Sequence, residues 1–194
     1  ERLEKLPGRK VGLAWRGGVP QTGRGSRSLT LEELLPVLRT QGMSFVSVQY
    51  GPMGPELAAL KERHAVEVYQ FQDAFDDYDE MAALLCALEL TLSVPSSVAD
   101  LGGALGCPVW VFTPIRADFR YGLGSDAMPW YPSLRLFRQQ RYGDWAPVVE
   151  AVAAALVGSA ESHRALSDQL SRRGAALDAL RHGEEALRLR PGWA

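Results

Sequence analysis

Charge of one sign is what this chain lacks most. Its 21 lysines and arginines face 23 aspartates and glutamates, a formal charge of −2 over 194 residues. A protein held on nucleic-acid phosphates normally carries a basic excess, so a dedicated nucleic-acid binder is not expected. Hydrophobic runs are short, and none approaches the roughly 18 residues of a spanning helix. The start, Glu1-Arg2-Leu3-Glu4-Lys5, lacks the basic-then-apolar pattern of a signal peptide. A soluble, cytoplasmic chain is the expectation. Cysteine is scarce: Cys86 and Cys107 lie in apolar surroundings without a CxxC motif or Cys/His cluster, which favours buried free thiols over a disulfide or a metal site. His64, His163 and His182 are scattered, so neither a metal site nor a histidine catalyst is expected. No Gly-x-Ser-x-Gly nucleophile motif is present. Lysine is limited to Lys5, Lys10 and Lys61. The remaining basic residues are arginines, whose planar fork suits phosphate, although codon composition produces the same skew.

Core-forming residues, by contrast, are plentiful: 46% are hydrophobic and 23% charged, as in a folded domain. Short β-branched or aromatic runs alternate with helical periods over residues 1–157, the pattern of a parallel sheet with crossover helices. Strands are predicted at 11–15, 45–49, 66–70, 90–94, 109–112 and 134–137. A Thr30-x-x-Glu33 capping box predicts a helix to Arg39 closed by Gly42, and further helices are predicted at 55–63, from the acidic run 76–80 to about 88, at 97–105 and at 146–156. Six such strands make a doubly wound, Rossmann-like α/β fold. The usual order 3-2-1-4-5-6 places a ligand crevice at the carboxyl ends of strands one and four. Gly158-Ser159-Ala160 reads as a break before two helices, 161–173 and 175–190, that meet at Gly174 and end at Pro191. Residues 160–194 thus resemble one tetratricopeptide repeat, with Ala179 and Ala186 at small-residue positions, and form a second unit.

Three segments can carry chemistry. The loop after strand one, Arg16-Gly17-Gly18 through Arg24 and Arg27-Ser28, combines glycines that admit a close ligand with forked cationic donors. It is neither a GxGxxG nor a Walker loop, and a solvated loop is the competing reading. The second segment, from Ser93 to Gly106, passes from strand four into a small-residue helix. That helix start offers unpaired amides to a diphosphate, with Ser96 and Ser97 as hydroxyl donors. Here too a competing reading stands, because Ser97-x-x-Asp100 is itself a capping box that places Asp100 on the same positive end. The third is the aromatic loop from Asp118-Phe119-Arg120-Tyr121 to Met128-Pro129-Trp130-Tyr131, in which Arg120 can pair with phosphate and the aromatics either stack on a ligand or plug the loop onto the core.

These segments, in this order, resemble the carboxyl-terminal half of bacterial family 9-like glycosyltransferases, a group often fused to tetratricopeptide repeats. The resemblance rests on Lys10-Val-Gly-Leu-Ala-Trp15, Arg27-Ser28, Phe45-Val-Ser-Val-Gln49, Met81-Ala-Ala-Leu84, Leu101-Gly-Gly-Ala-Leu-Gly-Cys-Pro-Val-Trp110, and Met128-Pro-Trp-Tyr-Pro-Ser-Leu-Arg-Leu-Phe-Arg-Gln139 with Trp145. It implies the donor lobe of a two-lobed GT-B enzyme that moves a sugar from a nucleoside-diphosphate sugar without a metal or other cofactor. Nucleotide-sugar contacts are then expected at Arg16, Gly17, Gly18, Arg24, Arg27, Gln49, Ser96, Ser97, Asp100, Arg120, Trp130 and Tyr131. In such enzymes the acceptor lobe, which precedes the donor lobe, usually supplies the base, so no catalytic residue is assigned here. The chain departs from the family pattern after strand four, where Pro95 stands in the place of an Asp and Asp100 in the place of a His. That departure carries a second reading: a catalytically degenerate relative acting as a protein-interaction module, its partner docking on residues 160–194.

Overall fold

The computed structural model describes residues 2–18, 24–75 and 77–172. In chain order the strands and helices are β1 (Arg9–Ala14), α1 (Leu35–Leu38), β2 (Met43–Ser47), α2 (Gly54–His64), β3 (Val68–Gln70), α3 (Tyr78–Ala87), β4 (Leu90–Ser93), α4 (Ser97–Ala104), β5 (Val109–Thr113), β6 (Leu134–Arg138) and α5 (Ala146–Arg172). The six strands form one sheet in the order β3-β2-β1-β4-β5-β6, and every neighbouring pair is parallel. This is the predicted doubly wound order, so the direction of winding reverses between β1 and β4.

Strand alternation explains the two covered faces. Val11 and Leu13, Phe45, Leu90 and Leu92, and Trp110 and Phe112 point to the side where α1 and α5 pack, with Trp15, Val148, Val149, Val152 and Leu156 in the same cluster. Ala14, Val46 and Val48 face Met81, Leu84 and Leu85 of α3 on the other side, while Val109, Val111, Leu134 and Leu136 gather with Ala99 of α4. Strands buried on both faces are predominantly apolar, and the small polar residues they carry here, Ser44, Ser47, Thr91, Ser93 and Thr113, are buried.

Three expectations change. The capping box closes as read: the Thr30 amide donates to Glu33 Oε2 (2.7 Å) and the Glu33 amide to Thr30 Oγ1 (3.1 Å). Yet a regular helix is limited to Leu35–Leu38, because Pro36 has no N–H to continue the ladder and the preceding residues form turns. The break at Gly158–Ala160 is absent, and α5 runs through it to Arg172. Ser159 explains this locally: its hydroxyl donates to Leu156 O (2.8 Å) and accepts from the Arg9 guanidinium (2.9 Å), which also holds Glu89 at 3.0 Å. The helix is thereby fastened to the start of β1 at the very position where glycine weakens it. The second expected hairpin helix, 175–190, lies outside the described residues. Cys86 is exposed rather than buried, because the inward stripe of α3 is Met81, Leu84 and Leu85, whereas Cys107 is fully buried.

Candidate functional site

At the switch point the carboxyl ends of β1, β2 and β4 surround a cleft of about 450 Å³. Its lining brings together nine residues that the sequence singled out: Arg16, Gly18, Arg24, Arg27, Gln49, Ser96, Ser97, Asp100 and Arg120. Ala14, Tyr50, Pro95, Val98, Asp118 and Tyr121 complete the lining.

The loop after β1 is set by hydrogen bonds from its backbone and from neighbouring side chains. Gln49 is 7% exposed, and its Oε1 accepts from the amides of Trp15 (3.0 Å) and Arg16 (2.7 Å) while Nε2 donates to Tyr50 O (3.1 Å). Gln49 therefore braces the β1 and β2 ends, and its amide oxygen is already committed. Ser28 accepts from the Gly17 amide (3.2 Å) and donates to Arg24 O (2.7 Å), folding the loop back on itself. Gly17 does not line the cleft, but it permits it: a Cβ there would stand 2.5 Å from Pro95 O, so only glycine lets the β1 and β4 loops approach. Glu56 of α2 holds Arg16 NH1 at 3.4 Å and accepts from Trp15 Nε1 at 3.0 Å. Nothing in the motif pattern pointed to Glu56, because it approaches from a different crossover.

Helix α4 starts as an open end. Its N-cap is Ser96, whose Oγ accepts from Ala99 N (3.4 Å) and shares a hydrogen bond with Ser93 Oγ (3.0 Å). The capping box read at Ser97-x-x-Asp100 is thus not formed, since Asp100 turns away to Arg120, Oδ2 to NH1 3.0 Å. The first amides of a helix have no intrahelical partner, and the first two residues of α4, Ser97 and Val98, both line the cleft. The helix end carries partial positive charge, and the Asp100–Arg120 pair beside it is nearly neutral.

The cleft floor holds polar atoms without hydrogen-bond partners among the described residues: Asp100 Oδ1, Arg16 Nε and Tyr121 OH. Tyr121 is fully buried. Burial, and then the nearby Asp100 carboxylate, pushes its phenol well above the ordinary value, so the hydroxyl stays protonated. Burial works against the Arg120 cation, but its hydrogen bond and charge pairing with Asp100 raise its pKa overall.

The aromatic loop divides between packing and rim. Tyr131 is not in the cleft lining; its ring packs on Gly103, where a Cβ would come within 2.6 Å of it, so the small residue of α4 serves loop packing. Trp130 is also outside the lining, 53% exposed, edge-on to Phe119 at 6.0 Å and 5.9 Å from the Arg120 guanidinium. Arg138 of β6 staples the loop by donating to Ser125 O (2.6 Å) and to Tyr121 O. Among the described residues no cluster of three or more His, Cys, Asp or Glu side chains is arranged for a metal, and no helix is long and apolar enough to cross a membrane.

A six-stranded, all-parallel Rossmann-like lobe with its cleft at the switch point is the architecture of a GT-B lobe. Among solved structures, the E. coli heptosyltransferase WaaC with ADP-2-deoxy-2-fluoro heptose is similar at a TM-score of 0.50 and 18% identity, over 82% of this chain and 46% of that one. At that identity the likeness shows the fold. Protein FlbA of Caulobacter vibrioides is 39% identical over 158 residues, 80% of this chain and 26% of FlbA, so the chain spans about a quarter of that curated relative. No family model matches the chain.

Proposed function

We propose that the cleft binds the diphosphate of a nucleoside-diphosphate sugar, and that the chain is the donor lobe of a metal-independent glycosyltransferase. The observation that carries this reading is the convergence of Arg16, Arg24, Arg27 and Arg120 with the open start of α4 on one cleft at the switch point. Sugar transfer needs the departing diphosphate to be stabilised as charge develops on it. Fixed guanidinium groups and helix amides supply that stabilisation without reorganisation. The acceptor hydroxyl also needs a base, and in this reading that base comes from an acceptor lobe. In this reading the exposed Trp130, beside Arg120 though outside the cleft lining, serves the base or sugar rather than the diphosphate, and Tyr131, packed on Gly103, does not. The reading places the protein in the cytoplasm, where nucleotide sugars are available.

Calorimetric titration of the folded chain with UDP, GDP and ADP tests it. Saturable binding by at least one, weakened about tenfold or more by Arg27→Ala, is expected from loss of a charge-assisted contact. Absence of heat with all three would overturn the proposal.

The Asp100–Arg120 pair supports a second reading, a relative that has lost donor turnover and docks a protein partner through residues 160–194. A carboxylate at the helix end repels a diphosphate and occupies one of its cations. In this reading Asp100→His restores nucleotide affinity that the natural chain lacks, and deletion of residues 160–194 abolishes partner binding.

A further inference from the structure

We propose that Cys86 and Cys107 form a reversible redox site, a dithiol that closes to an intramolecular disulfide when a peroxide oxidises it. These are the only cysteines of the chain, and their sulfurs stand 3.4 Å apart although 21 positions separate them in sequence. A disulfide needs about 2.05 Å between the sulfurs. Closing the bond brings the sulfurs together by about 1.4 Å.

The two thiols differ in access, which orders the steps. Cys86, near the end of α3, is exposed; Cys107, between α4 and β5, is fully buried, its backbone held by a 2.7 Å hydrogen bond from its amide to Gly102 O. Hydrogen peroxide therefore meets Cys86 first. The Cys86 sulfur attacks one peroxide oxygen, the O–O bond breaks, and the sulfur becomes a sulfenic acid while the other oxygen leaves as water. The Cys107 sulfur then attacks the Cys86 sulfur, the S–S bond forms, and the S–O bond breaks. The departing hydroxide takes the Cys107 proton and leaves as a second water. One peroxide is reduced to two waters and two thiols are oxidised to one disulfide. With the second sulfur in contact, capture of the sulfenic acid outruns its further oxidation.

The ring so closed contains β4, the Ser93–Ser96 hydroxyl pair and all of α4, which is one wall of the cleft. Oxidation ties that wall to α3 and removes freedom from the unfolded chain. The inference rests on the sulfur geometry alone and stands whether or not the cleft binds a nucleotide.

The test treats the folded, reduced full chain with hydrogen peroxide, blocks remaining thiols, and maps the unreduced peptides by mass spectrometry. Both thiols are expected to disappear together into a Cys86–Cys107 peptide pair that dithiothreitol reverses, and the thermal midpoint is expected to rise by about 5 °C or more. Cys107→Ser should accumulate a dimedone-reactive sulfenic acid at Cys86, and Cys86→Ser should leave Cys107 unmodified in the folded state. Oxidation of Cys86 in the natural chain while Cys107 remains open to alkylation after unfolding would overturn the proposal. So would a disulfide formed only between chains. The peptide map of the natural chain decides the matter even if a serine variant fails to fold.

Discussion

Tyr121 presents a buried hydroxyl with no hydrogen-bond partner among the described residues, a group whose desolvation no protein contact compensates. Tyr121→Phe is therefore expected to leave the thermal midpoint at neutral pH unchanged or to raise it. The pH dependence has a definite sign. The folded-state pKa is raised, so the contribution of Tyr121 is whole below the unfolded value and is lost as pH climbs above it. Thermal unfolding followed from about pH 8 to 11 should show the natural chain losing more stability above about pH 10 than Tyr121→Phe does. Equal losses in the two proteins would contradict the assigned cause. Gly17 makes the complementary case. With Pro95 O where its Cβ would go, Gly17→Ala should cost about 1–3 kcal/mol by urea unfolding, because backbone rather than a flexible side chain has to move. Both arguments depend on atoms more than 75 positions away or on the packing of a whole loop. Sequence could flag the glycine as permissive and the tyrosine as aromatic, but the contacts that make them specific were not legible.

Elements were more readable than their ends. All six strands were legible because β-branched and aromatic runs recur between helical periods, and their order is the usual one for that alternation. The differences came where a second signal, local in one case and tertiary in the others, overrode the first. Thr30 and Glu33 closed their capping box, yet Pro36 restricted the helix to Leu35–Leu38. At Ser97 and Asp100 the same local grammar failed: Arg120, 20 positions on, competes for the Asp100 carboxylate, and Ser96 caps the helix instead. Gly158-Ser159-Ala160 reads as a linker, but the Ser159–Arg9 hydrogen bond and the buried stripe of Val148, Val152 and Leu156 keep α5 helical. Gly158→Ala tests that continuity, since a Cβ there meets open space. A stabilisation of about 0.5–1 kcal/mol is expected for a helical interior position, measured by the shift in urea midpoint; a hinge would show no gain.

For the whole molecule, the near-zero net charge conceals a local field. Four arginines gather at the carboxyl ends of the central strands, where Glu56 pairs with Arg16 and Asp100 and Asp118 with Arg120, so the cations outnumber the carboxylates beside them by one. If the cleft takes a diphosphate, ligand at about 100 times its dissociation constant should stabilise the fold by about 2.7 kcal/mol. For a chain of this size that is a rise of several degrees in thermal midpoint, and salt should diminish it. A midpoint unmoved by any nucleoside diphosphate at millimolar concentration would agree with the second reading. The sequence by itself determined the doubly wound sheet and most of the cleft lining, because hydrophobic period and glycine placement are local properties that the switch point then converts into a site. Only the tertiary structure decided what each side chain does there: that Gln49 braces two strand ends, that Tyr131 packs on Gly103, that Asp100 holds Arg120, and that Cys86 meets Cys107. Those partners come from different crossovers, and no spacing along one segment encodes which of them will meet.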